Sequence, residues 1–341
     1  MMAVWPINRI PIAPVLVANP GRVIKFNDVA STRGRRWRTL MINQVDRLAA
    51  GLMFPEGPAI GSDGALYVTE IAGQRISKIS EDGTVSTYAD TGGGPNGAAF
   101  DAQGDLLVCN NGGKWPSDVP STSEAGEPEG GPGRMQRVTI EGDVIEELLE
   151  IDGIALNSPN DVCFDAHGGY YFTDPVWSGL VGGDRAGGPV CYVNSEGEAS
   201  RAVTNVAFPN GLGVRADGKV LIVCESLTGM LLSYRVEEPG ILSGTPKPNG
   251  MIGRRSVPDG FCFDASGQVI VAGHGSSNLF VLDGKDGRPI EIIDLPESGP
   301  TNCCFGGKDF RTLFVTSSDH GYVYAIDWPI EGMPLLHTQH P

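Results

Sequence analysis

Phe54-Pro55-Glu56-Gly57-Pro58 is the stretch that decides how this chain folds, because its pattern returns five more times. It comes back as Gly94-Pro95-Asn96-Gly97, Ser158-Pro159-Asn160-Asp161, Phe208-Pro209-Asn210-Gly211, Val257-Pro258-Asp259-Gly260 and Gly299-Pro300-Thr301-Asn302. A short apolar run follows each copy, at 66–70, 106–110, 170–174, 220–225, 269–274 and 312–317. From Glu56 through Asn96, Asn160, Asn210 and Asp259 to Asn302 the intervals are 40, 64, 50, 49 and 43 residues. Repeats of this length, built from short strands, predict an all-β fold, a six-bladed β-propeller with one blade per copy. Asp63-Gly64 and Asp82-Gly83 mark hairpins inside the first blade. Helical periodicity is absent throughout.

In a propeller the first strand of each blade lines the central channel, so equivalent positions form a ring at one mouth. Glu56, Asn96, Asn160, Asn210, Asp259 and Asn302 are therefore expected to converge although they span most of the chain. Asn and Asp beside Pro and Gly are also turn formers for backbone reasons, and each Asn alone fits that role equally well. Glutamate is a poor turn residue. Its presence at position 56 requires another reason, and a ring of ligands supplies one.

Composition narrows the function classes. The 341 residues are expected to divide into an N-terminal arm, 1–45, and a propeller, 46–341, with an inserted loop at about 111–134 that explains the long second interval. That insertion, rich in Gly, Pro, Ser and Glu, reads as a lid in preference to a mobile surface loop. Either the arm or the last residues, 334–340, can supply the strand that closes the ring. With 41 acidic against 25 basic residues the net charge is −16, which argues against nucleic-acid and anionic-membrane partners and suits a cation site. Arg33, Arg35, Arg36 and Arg38 form a local basic cluster that reads as a solvated patch or an interface. The seven cysteines show neither zinc spacing nor an even framework and read as reduced, buried thiols. The start of the chain is broken by Pro6, Pro11 and Pro14, unlike a secretory leader, and no run reaches membrane-spanning length, so a cytoplasmic location is expected.

The chemistry is read from the ring. Glu56 and Asp259 offer two carboxylates, Asn160 and Asn210 two neutral amide oxygens. An all-oxygen set without His or Cys suits one hard divalent cation, Ca²⁺ first, with Mg²⁺, Mn²⁺ or Zn²⁺ as alternatives. Four protein donors leave coordination positions open, as a catalytic ion requires and a structural one does not.

Pro55-Glu56-Gly57-Pro58, Ser158-Pro159-Asn160-Asp161, Pro209-Asn210-Gly211-Leu212, Pro258-Asp259-Gly260 and the tail Thr301-Asn302-Cys303-Cys304-Phe305-Gly306-Gly307 resemble the gluconolactonase, senescence-marker-protein and luciferin-regenerating-enzyme family, with diisopropylfluorophosphatase as a relative. The resemblance covers residues 52–327. It implies a six-bladed propeller holding one divalent cation, often calcium, and hydrolysis of lactones or, in some members, phosphoric esters. On it, Glu56, Asn160, Asn210 and Asp259 match the family's metal positions, and Asp259 its nucleophile or general base. Two departures stand out. Positions that hold a second calcium in phosphotriesterase-like relatives read as Cys262 and Cys304 here, so that second site is expected to be missing. The sugar-binding motif of the animal lactonases is replaced by Gly94-Pro95-Asn96-Gly97, which weighs against a sugar-acid lactone.

The resulting expectation is a small-molecule lactone or ester whose carbonyl is polarised by the cation, with Asp259 or a water it helps deprotonate as nucleophile. His274 is a further catalytic acid or base. Asn96, Asn110, Asp174, Trp177, Glu225 and Asn302 are candidate substrate-binding residues, as is Glu70, and Asp161 is expected to orient Asn160. The alternatives are a phosphotriesterase-like hydrolase on the same site and a non-catalytic scaffold with a structural ion. Oligomeric state is not readable.

Overall fold

A computed structural model of the chain describes residues 44–114, 131–176, 187–253, 256–296 and 299–334. A strand ahead of the first motif, β1 (Val45–Ala49), precedes six antiparallel sheets in chain order. Blade 1 holds β2 (Pro55–Ile60), β3 (Leu66–Glu70), β4 (Arg75–Ile79) and β5 (Val85–Asp90). Blade 2 holds β6 (Pro95–Phe100), β7 (Leu106–Asn110), β8 (Arg134–Val138) and β9 (Val144–Leu148), and a small hairpin, β10 (Glu150–Ile151) with β11 (Ile154–Ala155), leads onward. Blade 3 is β12 (Val162–Phe164), β13 (Tyr170–Thr173), β14 (Gly188–Val193) and β15 (Ala199–Val206). Blade 4 is β16 (Pro209–Val214), β17 (Val220–Glu225) and β18 (Met230–Glu238), flanked by β19 (Ile241–Leu242) and β20 (Lys247–Met251). Blade 5 is β21 (Val257–Phe263), β22 (Val269–His274), β23 (Asn278–Leu282) and β24 (Pro289–Asp294). Blade 6 is β25 (Pro300–Gly306), β26 (Thr312–Ser317) and β27 (Tyr322–Asp327).

The fourth strand of blade 6 is β1, antiparallel to β27 with Val45 opposite Ile326. The closing strand thus comes from just ahead of the first motif, and the arm before residue 44 lies outside the described residues, as do 335–341. The first strands contact one another in the circuit β2, β6, β12, β16, β21, β25 and back to β2. This places blade 3 opposite blade 6 and blade 1 opposite blade 4.

Each pair of neighbouring blades encloses its own apolar layer. Leu107, Cys109 and Met135 of blade 2 meet Phe172 and Cys191 of blade 3, and the same arrangement recurs around the ring to Leu52, Val68 and Val323 between blades 6 and 1. A second strand therefore has packing on both faces. All five residues of β7 are buried, which is why these strands read as unbroken apolar runs and not as alternation. Asp101, Asp165 and Asp264 stabilise the hairpins between first and second strands, each carboxylate accepting backbone N–H groups two and four residues on.

Candidate active site

The motif is a β-bulge. Pairing between first and second strands slips between Glu56 and Ala59, Pro95 and Ala98, Pro209 and Leu212, Pro258 and Phe261, and Pro300 and Asn302. A bulge adds a residue to one strand and re-aims the side chain beside it. Glu56, Asn96, Asn210 and Asp259 each sit at such a slip, and with Asn160 of blade 3 they are buried, each between 4 % and 7 % exposed. The glycine that follows is sterically required: a Cβ at Gly57 would collide with the Asn96 carbonyl, and one at Gly211 with the Asp259 carbonyl.

Register corrects one position. Pairing Pro300 with Ser317, as Pro55 pairs with Glu70, puts Thr301 at the place of Glu56 and Asn302 at that of Gly57. Asn302 thus belongs to the layer beneath the ring and not to the ring itself. The Thr301 hydroxyl is held between blades, donating to the Pro55 carbonyl at 2.8 Å and lying 2.8 Å from the Thr316 hydroxyl. Thr69 and Thr173 likewise donate to the carbonyls of Asn96 and Asn210, at 2.5 and 2.9 Å, so hydroxyls of one blade fix the ring backbone of the next.

Three buried carboxylates of the first strands are pushed up in pKa. Burial and then the charge of Asp161 push Glu56 up to about 8, against the Gly57 N–H at 2.9 Å and the Asn302 amide. Burial pushes Asp161 up to about 7. Asp259 is held well above the usual carboxylate range by burial and by the charge of Glu56, with the Asn210 amide opposing the rise. Carboxylates 203 residues apart in sequence (259 − 56) thus oppose each other's ionisation. Among the described residues no group of three or more His, Cys, Asp or Glu side chains is gathered so as to hold an ion. Glu56, Asp161 and Asp259 are thus not packed as a three-carboxylate cluster, and two of the four expected donors are amides, outside such a grouping. The donor chemistry fits a hard cation: two buried anions pressed toward protonation, with two amides between them.

His274 closes one side of the mouth. Its Nδ1 is buried without a hydrogen-bond partner, 3.9 Å from Asp259 Oδ2, beyond hydrogen-bonding distance. Burial lowers the imidazole's pKa although Asp319 and the Pro300 backbone oppose this, so the neutral ring is favoured. Phe54 lies beside it with ring centroids 6.4 Å apart. Phe54 and the opposite Phe208 carry φ of 54° and 59°, left-handed for bulky residues before proline. Such strain concentrates at functional sites. Sequence reasoning passed over both, and the signal available was the repeated Phe-Pro pair.

The remaining strand-end residues do scaffold work. Asp174 Oδ1 accepts the N–H groups of Asn157 and Ser158 at 2.9 and 2.7 Å, and its Oδ2 accepts the Asn157 amide. Asn110 accepts from Gly94 N and donates to the Gly92 carbonyl. Glu225 accepts from Ala207 N, and Glu70 from Met53 N. These four clamp the loop entering their own blade's motif, which competes with the substrate contact expected of them. Trp177 lies outside the described residues, as do 115–130 of the expected lid; the described ends of that insertion are joined by Gly131 N donating to Gly112 O. Cys262 and Cys303 sit with sulfurs 3.4 Å apart between blades 5 and 6, and Cys304 faces the blade 6–1 layer.

Residues 54–319 match the model of the SMP-30/gluconolactonase/LRE-like region. The chain belongs to this family. Regucalcin of Gallus gallus is 31 % identical over 117 residues, covering 34 % of this chain and 39 % of regucalcin, so the chain spans about two fifths of the length of these relatives. Lactonase drp35 of Staphylococcus haemolyticus is 28 % identical over 250 residues, 71 % of this chain and 69 % of drp35. A solved gluconolactonase from Xanthomonas campestris superposes with TM-score 0.69 at 23 % identity, covering 86 % of this chain and 99 % of that one. At that identity the superposition bears on fold, and it is the family's propeller. The family's relatives include lactonases and other hydrolases. No helix among the described residues is long and apolar enough to cross a membrane.

Proposed function

We propose that the protein is a cation-dependent hydrolase that opens a small lactone at the mouth of the channel. What supports this reading is the burial of Glu56, Asn160, Asn210 and Asp259 on the first strands of their blades, with the carboxylates of Glu56 and Asp259 pushed up by that burial. Glu56, Asn160, Asn210 and Asp259 would hold the ion, Ca²⁺ by preference. A divalent cation there would polarise the lactone carbonyl and stabilise the negative charge that builds on its oxygen. Asp259, once ionised, takes the proton of the attacking water or attacks the carbonyl carbon itself. Neutral His274, with its bare Nδ1 3.9 Å from Asp259, is placed to accept that proton and return it to the leaving ring oxygen. Phe54 offers the entering substrate an apolar face. A lactone from the relatives' repertoire is favoured over a phosphotriester because drp35, a lactonase, aligns over 71 % of this chain.

The test is hydrolysis of a panel of γ- and δ-lactones, with an organophosphate panel beside it, by protein stripped with a chelator and restored with Ca²⁺, Mg²⁺, Mn²⁺ or Zn²⁺. Activity should vanish on stripping and return with one of these ions. Turnover untouched by the chelator removes the mechanism, and preference for the organophosphates moves the substrate class.

A further inference from the structure

Cys262 and Cys303 stand on the first strands of neighbouring blades, β21 and β25, and both pack in the apolar layer between blades 5 and 6. Their sulfurs are 3.4 Å apart, in contact across 41 residues of sequence. The adjoining Cys304 faces the other layer, between blades 6 and 1.

The hydrogens settle how the two sulfurs meet. A thiol has one hydrogen to give, and Cys303 Sγ donates its own to the Ile270 carbonyl at 3.3 Å. Cys262 is then the donor in the sulfur–sulfur contact, and a lone pair of Cys303 faces it. Ile270 is the β22 residue paired with Cys262, so the strand beside Cys262 also holds Cys303 in place. Cys303 is only 4 % exposed, whereas Cys262 keeps partial exposure, which gives a small reagent a way in.

The geometry points to Cys262 and Cys303 as a modification site, where a hydroperoxide oxidises the pair to a reversible disulfide joining blades 5 and 6 beneath the ring. In the first step the Cys262 thiolate attacks one peroxide oxygen: the O–O bond breaks, an S–O bond forms and hydroxide leaves. In the second the Cys303 sulfur attacks the Cys262 sulfenic sulfur, and a second hydroxide leaves as the S–S bond forms. The two thiol protons go to the two hydroxides, so two thiols and one hydrogen peroxide give one disulfide and two waters. The sulfurs lose two electrons and the peroxide oxygens gain them. The contact must shorten from 3.4 Å to a bond of about 2.05 Å, a closure on the scale of side-chain rotation. Burial pushes the Cys262 thiol up, which makes thiolate scarce and the first step slow, while proximity speeds the second. A dithiol reductant reverses the bond by exchange. Neither sulfur takes part in the hydrolysis proposed above, so the pair stands apart from that reading.

The test is to treat the full folded chain, without denaturant, with excess hydrogen peroxide for hours and to count free thiols before and after. The count should fall from seven to five, and dithiothreitol should restore it. A non-reducing digest of the oxidised protein should yield one linked pair of peptides, carrying Cys262 and Cys303. Cys303→Ser should stop at the Cys262 sulfenic acid, which dimedone traps, and Cys262→Ser should form no disulfide, whereas Cys304→Ser should still lose two thiols. Should a variant of the pair fail to fold, the digest of the oxidised parent decides alone. A parent that keeps all seven thiols, a disulfide mapped to any other pair, or a loss of two thiols that persists in Cys262→Ser overturns the assignment.

Discussion

Asp174 and His274 stand where the second strands of blades 3 and 5 end, one repeat position apart, since Pro258 pairs with Gly273 as Pro55 pairs with Glu70, and they are used in opposite ways. Asp174 is enclosed by donors from its own loop, two backbone N–H groups and one side-chain amide. His274 keeps a buried ring nitrogen with no partner, facing Asp259. Glu70, Asn110 and Glu225 side with Asp174. The repeat thus builds one clamp several times; blade 5 has Gly273 at that position, and the next residue, His274, carries an unsatisfied polar atom that needs a chemical reason. Unmatched buried polar atoms are rare because they cost free energy, and they gather where a ligand supplies the missing partner.

Replacing Asp174 should bring the largest loss, and it should be a loss of folding. Asp174→Ala leaves the N–H groups of Asn157 and Ser158 buried without acceptors, at roughly 1–3 kcal/mol each. Chemical denaturation should show a stability loss of about 4 kcal/mol. A change below ~1 kcal/mol would mean the clamp is dispensable and would erase the contrast with His274.

His274→Gln should do the reverse. Removing a positioned acid or base lowers kcat by roughly 10²-fold or more. Because Nδ1 makes no hydrogen bond in the protein, melting should stay near the parent value. Loss of stability with unchanged turnover would place His274 among the clamps.

The contrast was only half visible in the sequence. The Pro-x-Gly copies and the apolar runs after them revealed blade number and order, because a strand packed on both faces must be apolar throughout. Outer strands were harder to read: β9, Val-Ile-Glu-Glu-Leu, is mostly exposed, and β5 is similar, so neither carries a period that marks a buried face. Glu56 was legible as a misfit in a turn. The clamp role of Asp174 was not, since its partners lie 16 and 17 residues away and pair only once the loop is folded. The slip at Asn302 has a similar origin: Pro300-Thr301-Asn302 lacks the glycine that marks register in four of the other blades, and Asn adjoins a threonine that takes the ring position.

The gentlest way to sharpen the comparison is pH, because the axial acids respond to it. Glu56 moves from 4.5 to about 8 on folding and Asp161 from 3.8 to about 7, so the folded protein holds these protons more tightly than the unfolded chain. For an acid raised on folding, stability is greatest below the unfolded pKa and declines as pH climbs toward the folded value. The melting temperature of the chelated protein should therefore fall between about pH 4.5 and pH 8 and then level off. A fall of a few degrees is expected, since about 1 kcal/mol moves Tm by roughly 2–4 °C in domains of a few hundred residues or less. Calcium at saturation should flatten the decline, because the ion takes over the charge that protons neutralise, and its affinity should rise over the same interval. A chelated protein that melts higher at pH 8 than at pH 5 would show that the axial carboxylates are not confined together, and the distinction between a reactive axis and a purely structural rim would dissolve.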